Sequence, residues 1–286
     1  MMGLLAMLKD LLVPLTNTAG DANAVAVAAA LAARHDAHLA VLEIVNLPVP
    51  APSPWGLLPD LAMNEVYNTL RAKAERDATG WRERLTREAI SSEVRVSESL
   101  FVEPPRTAAL HGRYSDLTVM TAAGDDARDA PVIHAFFTAL LLETGRPLLV
   151  VPPRATARGP AGHVVVAWRP TRDATRALHD ALPLLREARS VDVLEIDPPA
   201  GDKGDGAQPG ADIATHLARH GLQVRVVVHA LAGETWARAL INHAQQSGAE
   251  LMVAGGYGHS RFREWVLGGA TRELLQRAPI PVLFSH

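Results

Sequence analysis

The chain contains no cysteine, which excludes disulfide bonds, thiolate nucleophiles and cysteine-ligated metal sites. Aromatic residues make up only 5% of it, too few for a surface on which nucleic-acid bases would stack. The net charge is −3, so the basic surface that nucleic acid attracts is missing. The longest apolar run, residues 24–33, is far shorter than the ~20 residues of a transmembrane helix. We therefore expect a globular protein of the cytoplasm, with neither nucleic acid nor membrane as a partner.

The chain is long enough, at 286 residues, for two ordinary domains. A pattern of short apolar runs alternating with helical segments occurs twice along it, which predicts an α/β fold with two tandem, Rossmann-like, doubly wound parallel sheets. The Pro/Gly-rich stretch 154–160 is the predicted linker between domains at 1–153 and 161–286. The predicted strands cover residues 10–15, 39–45, 93–100, 147–151, 162–168, 191–196, 222–229, 251–254 and 280–284, and the two clearest helices cover 21–35 and 172–187.

A glycine cluster near the C-terminus follows the predicted strand 251–254 and precedes a helical segment at 270–276. Glycines between a strand and a helix let backbone N–H groups approach an anion, and the positive end of the helix dipole adds to the attraction. No lysine lies in residues 255–271, so the lysine-dependent P-loop mechanism is excluded. The pattern indicates a phosphate cradle; the alternative is a turn that only packs the helix against the sheet.

The residues Gly255, Gly258 and Gly268 have the spacing Gly-x2-Gly-x9-Gly, and the string GGYGHSRFREWVLGGATRELL resembles the universal stress protein family. The resemblance extends from about residue 162 to the C-terminus and more faintly over the whole chain. It implies two five-stranded domains and a site for ATP, or a related adenine nucleotide, after the fourth strand of the second. A divalent cation such as Mg²⁺ would offset the phosphate charge.

Two positions depart from the family pattern. A Ser or Thr of the motif is replaced by Gly269, with Thr271 two residues further on, and an aspartate after the first strand is replaced by Arg169. Arg169 donates hydrogen bonds and cannot accept them, so it suits an oxygen-rich group. We predict no catalytic residue, no metal-ligating side chain and at most slow hydrolysis. The predicted ligand-binding residues are Ala167, Trp168, Arg169, Gly255, Gly258, His259, Ser260, Gly268, Gly269, Ala270 and Thr271.

The first half carries a weaker copy of the glycine motif at residues 121–129. It keeps one glycine, Gly124, and places Asp125, Asp126 and Asp129 where phosphates would lie. Negative side chains repel a polyphosphate unless a cation intervenes. We therefore predict that the first half has kept the fold and lost the site; a Mg²⁺ site on these aspartates is the alternative.

Two other functions remain open from the sequence. One is a scaffold that binds no nucleotide, since the resemblance implies that the terminal strands 147–151 and 280–284 pair as an internal pseudo-dimer, with further self-association between chains possible in the same way. The other is a true ATPase, which requires a catalytic residue that the sequence does not reveal. The helical pair His216 and His220 lacks a third ligand, which favours a structural role over zinc binding, and residues 201–206 have the composition of a surface loop.

Overall fold

The computed structural model describes residues 8–49, 61–124, 126–155, 161–198, 208–256 and 269–286. Strands and helices alternate along them, as the sequence predicts. The strands are β1 Asp10–Pro14, β2 His38–Asn46, β3 Ser91–Ser99, β4 Leu117–Thr121, β5 Leu148–Val151, β6 His163–Trp168, β7 Ser190–Ile196, β8 Val224–His229, β9 Leu251–Gly255 and β10 Val282–Ser285. The helices are α1 Asp21–His35, α2 Leu61–Leu85, α3 Pro104–Gly112, α4 Asp129–Glu143, α5 Arg172–Leu185, α6 Ala211–Arg219, α7 Trp236–Ser247 and α8 Gly269–Arg277.

The strands form one ten-stranded sheet in the order β3-β2-β1-β4-β5-β10-β9-β6-β7-β8. Within each half all the pairings are parallel. Counted from the middle of the sheet outward, the strands of each half therefore follow the same order, namely the fifth, fourth, first, second and third strand of that half. This arrangement confirms the predicted fold of two tandem, doubly wound, five-stranded units.

The two halves meet at the centre of the sheet, where β5 and β10 pair antiparallel and Leu149 lies opposite Leu283. The aromatic ring of Phe137 on α4 packs edge-on against that of Phe284 on β10, with ring centres 5.2 Å apart. Edge-to-face contacts of this kind add to the stabilisation from apolar burial. The predicted pairing of the terminal strands within the chain is thus present, and we call it the central seam.

Helices cover both faces of the sheet, which explains why the inner strands, unlike the edge strands β3 and β8, are almost continuously apolar. On one face the core includes α1, α5 and the buried side of α6; on the other it includes α4, α7 and α8. The alanine-rich run in α1 lies on the sheet, with Ala24 and Ala28 fully buried. Both cores continue across the central seam, so each of them contains residues from both halves.

The predicted helix 21–35 matches α1, and α5 ends two residues before the predicted end of its segment. In the residues described, no helix combines the length and the apolar character needed to cross a bilayer. Most of the proposed linker and the loop 201–206 lie outside the described residues. The boundary between the domains stays a prediction.

Candidate functional site

The candidate site lies where the parallel strands β6, β7, β8 and β9 end, which we call the second-half edge. Doubly wound sheets bind ligands at such carboxyl edges. Because α8 follows β9 and leads back into the parallel strand β10, it begins at this edge. The structure therefore places Ala167–Arg169, Gly255 and Gly269–Thr271 at one edge of the sheet. The other predicted residues, Gly258, His259, Ser260 and Gly268, lie outside the described part.

Arg169 extends along the second-half edge after the end of β6. It donates a hydrogen bond from Nη2 to the carbonyl oxygen of Ile196 at 3.5 Å, and its guanidinium lies 5.8 Å from the centre of the Trp236 ring. A cation over an indole face is favourable. The buried Nε1–H of Trp236 has no hydrogen-bond partner in the part of the chain that the structure describes. Two side chains that can only donate hydrogen bonds therefore stand together at this corner of the edge.

Gly255 is packed tightly against the start of α5. A Cβ atom there would lie 2.7 Å from the backbone nitrogen of Ala174 and 2.7 Å from the carbonyl carbon of Asp173. The following residue, Gly256, donates its backbone N–H to the carbonyl oxygen of Ser285 at 2.8 Å. Gly255 thus has a packing role whether or not a ligand is bound. The end of β9 therefore packs directly against the backbone at the start of α5.

Gly269, at the start of α8, has the opposite surroundings. Among the residues that the structure describes, a Cβ atom there would have no neighbour within 4 Å, and the residue is exposed. The first N–H groups of a helix have no partner within the helix, so they can bind an anion. Thr271 is only 6% exposed, so its side chain packs inward instead of lining the open end of α8.

The charges around this edge are mixed. Asp173 carries a carboxylate near Gly255, and its Oδ1 lies 3.4 Å from Nδ1 of His286. Beside α8, Thr235 donates its hydroxyl to Glu273 Oε2 at 2.7 Å. An anionic ligand here would be repelled by both carboxylates, so a bound cation would favour phosphate binding.

Sequence reasoning missed Trp236 and Asp173 as members of the edge. A signal was present for the first: Thr235 caps α7, accepting a hydrogen bond from the N–H of Arg238, so Trp236 opens a helix directly after β8. A large ring at the start of a helix that follows a parallel strand lies at the carboxyl edge. No comparable signal marks Asp173, because its nearness to Gly255 is set by how α5 packs against β9.

The equivalent edge of the first half is arranged differently. Thr16, which occupies the position of Arg169, donates its hydroxyl to the buried Asp21 at 2.7 Å. Burial raises the pKa of Asp21, although hydrogen bonds from Thr16 oppose this effect. Asp126 is paired with Arg128 at 2.7 Å, while Asp125 lies outside the described residues.

Histidines do cluster on the outer helices. The ring of His216 lies 5.2 Å from that of His179 and 4.8 Å from that of His220, measured between ring centres. His179, on α5, is a neighbour that sequence spacing could not reveal. Among the residues that the structure describes, however, no group of three His, Asp or Glu side chains is arranged to hold a metal ion.

Comparison with known proteins relates this chain to one family. Residues 161–286 match the universal stress protein family. A universal stress protein from Archaeoglobus fulgidus has a similar structure, with a TM-score of 0.72 and 15% identity over 96% of this chain and 95% of that one. A putative universal stress protein from Pseudomonas aeruginosa gives a TM-score of 0.54 and 14% identity over 98% and 93%.

A shorter universal stress protein, solved in complex with cAMP, covers 51% of this chain and 98% of its own, with 15% identity and a TM-score of 0.33. No curated protein matches the sequence. The second half, residues 161–286, thus matches the universal stress protein family, and the structural likeness along both halves is consistent with a tandem arrangement of two domains of this fold.

Proposed function

We propose that this protein binds ATP, or a related adenine nucleotide, at the second-half edge and acts as a nucleotide-dependent regulatory module of a stress response. The site belongs to a proposed domain at residues 161–286. The observation that carries the proposal is the open amino end of α8 at Gly269, which stands at the same edge as the ends of β6 and β9. Exposed backbone donors at a helix start are suited to phosphate oxygens.

The proposed arrangement divides the ligand between two parts of the edge. The phosphates lie at the start of α8 and along the glycine loop, with a Mg²⁺ ion offsetting the carboxylates of Asp173 and Glu273. The nucleoside lies over the ends of β6 and β7, beside Arg169 and Trp236. Binding stabilises one conformational state of the protein, and hydrolysis is slow.

Gly269→Val tests this assignment with little risk to the fold. Because no atom of the described residues lies within 4 Å of the added Cβ, the variant is expected to fold, while the valine side chain blocks the approach of phosphate to the helix start. We expect loss of the nucleotide released by heating the purified protein, and loss of Mg-ATP binding in calorimetry. Gly258→Val is expected to behave in the same way.

Gly80→Val on α2 is the matched control, since a Cβ atom there also has no neighbour within 4 Å and lies in the first half. It is expected to bind like the wild type. About one nucleotide per chain supports the proposal, whereas two per chain means that the first half binds as well. Unchanged binding by Gly269→Val would refute the cradle, and absence of any nucleotide or Mg-ATP binding would favour the scaffold function. Multiple-turnover hydrolysis abolished in Gly269→Val would indicate an ATPase.

A further inference from the structure

The first half contains a cavity of about 440 Å³ at the carboxyl edge of its own strands. It lies between the ends of β1 and β2 and the starts of α3 and α4, where a doubly wound sheet can hold a ligand. A volume of this size suits a small organic molecule. The described lining residues are Leu15, Thr16, Asn17, Ile44, Asn46, Glu103, Pro104, Pro105, Pro131, Val132, Ala135 and Phe136.

The helix starts at this cavity are poorly equipped to bind phosphate. Pro104 and Pro105 occupy the first turn of α3 and have no N–H. The next two N–H groups, of Arg106 and Thr107, both donate to the carbonyl oxygen of Glu103 at 2.9 and 3.2 Å. Pro131 likewise has no N–H in the first turn of α4. The backbone donors that make a helix start attractive to an anion are therefore largely missing or used.

Two side chains of the lining already donate hydrogen bonds within the protein, while the exposed amide of Asn46 can both donate and accept. Thr16 donates to Asp21 at 2.7 Å, and the Asn17 amide donates to Glu43 Oε1 at 3.3 Å. Each residue keeps an oxygen that can accept. The carboxyl groups that accept these hydrogen bonds, on Asp21 and Glu43, are buried. They are negative when ionised and neutral when protonated, so neither adds positive charge to the cavity. Burial raises the pKa of both Asp21 and Glu43.

Charge in the lining has one sign. Glu103 is its one acidic residue, and no lysine or arginine occurs among the lining residues described. The floor is apolar, since Leu15 and Phe136 are almost completely buried. The cavity therefore combines an apolar floor with a rim that accepts hydrogen bonds and attracts positive charge.

We propose that this cavity is a second ligand site, which takes a small organic cation with an apolar body and an ammonium group. The apolar body lies against Phe136 and Leu15. The ammonium group donates to the oxygens of Thr16 and Asn17 and faces the carboxylate of Glu103. The first half has thus exchanged an anion site for a cation site, and this assignment does not depend on nucleotide binding by the second half.

Three probes of nearly one shape test the charge preference: tryptamine, the uncharged tryptophol and the anionic indole-3-acetate. Binding to the full-length chain is measured by saturation-transfer NMR and titration. We expect tryptamine to bind most tightly and indole-3-acetate about tenfold or more weaker, because the described lining carries the carboxylate of Glu103 and no lysine or arginine. Glu103→Gln should weaken tryptamine by about two- to fivefold, the size expected for an exposed charge contact, and leave tryptophol unchanged.

Location is tested by filling the cavity. Ala135→Trp puts a ring into the cavity from α4 and should abolish tryptamine binding, whereas His134→Trp, at the adjacent exposed position outside the lining, should keep it. Gly269→Val should bind tryptamine like the wild type, which separates this site from the second-half edge. The proposal is overturned if tryptamine fails to bind, if indole-3-acetate binds as tightly, or if Ala135→Trp binds tryptamine unchanged.

Discussion

The tight contact between Gly255 and α5 predicts that Gly255→Ala destabilises the protein. The added Cβ would lie 2.7 Å from two backbone atoms of α5 and 3.0 Å from the Asp173 Cβ. Backbone atoms cannot move aside as the tip of a flexible side chain can, so α5 or β9 must shift. Overpacking of this kind costs about 1–3 kcal/mol of the free energy of unfolding.

Thermal and urea unfolding of Gly255→Ala and Gly269→Ala measure this cost. Each kcal/mol lowers the Tm of a chain of this size by about 2–4 °C, so Gly255→Ala should unfold several degrees below the wild type. Gly269→Ala is the matched control, because its Cβ meets no atom of the described residues within 4 Å. Gly269 is the first residue of α8 and not part of its interior, so this variant should be about as stable as the wild type.

Nucleotide binding separates the packing role of Gly255 from a role in the cradle. If glycine is required there for packing alone, Gly255→Ala should retain affinity for Mg-ATP at temperatures well below its Tm. A Tm equal to that of the wild type would refute the reasoning, because it would mean that the contact between β9 and α5 accommodates a methyl group without strain.

Two further predictions concern buried charge. Asp192 is 2% exposed and accepts hydrogen bonds from Arg225 at 2.6 Å and His243 at 2.9 Å, so Asp192→Asn should cost about 2–3 kcal/mol in urea unfolding. Burial alone would raise the pKa of Asp192, but these hydrogen bonds, with the charges of Arg225 and a neighbouring histidine, lower it. The ionised carboxylate therefore contributes to the free energy of unfolding above its unfolded pKa of about 3.9. That contribution is lost as the pH falls through the folded pKa. An equal loss of stability on acidification in wild type and Asp192→Asn would contradict this. For His35, burial lowers the pKa, so the free energy of unfolding should fall as the pH drops below about 6.5. His35→Gln should reduce that slope, and identical slopes in the wild type and His35→Gln would refute the assignment.

The fold was predictable because the apolar runs of the strands and the start signals of the helices alternate consistently along the sequence. The apolar run at residues 162–168 is flanked by polar residues and followed by a helix that Thr171 caps through the N–H of Ala174. Such strand and helix patterns, repeated in both halves, determine a parallel sheet. The order of strands was not predicted, and the pairing at the central seam came from family resemblance, since nothing local to residues 147–151 indicates which strand pairs with them.

The site was less predictable because its members meet through tertiary packing. Sequence spacing identified the glycines, but it could not distinguish the packed position of Gly255 from the open position of Gly269. It also gave no indication that Arg169 would lie over Trp236, 67 residues away along the chain. In the first half, the loss of glycines predicts a changed edge, whereas the cavity beside Phe136 depends on how α3 and α4 pack at the ends of the strands.

The central seam has a consequence for how the two halves can diverge. Four apolar residues of β5 would form an exposed, unpaired edge in an isolated first half, and such edges pair with other chains. The covalent connection keeps β10 at an effective concentration in the millimolar range, as short tethers do, so the seam forms at any dilution of the protein. Each half therefore always has an unlike partner. A symmetric dimer uses the same surface on both partners, so that each substitution appears on both sides of its interface. Inside one chain, a substitution on one side of the central seam leaves the residues on the other side as they are, and the two sides can become different.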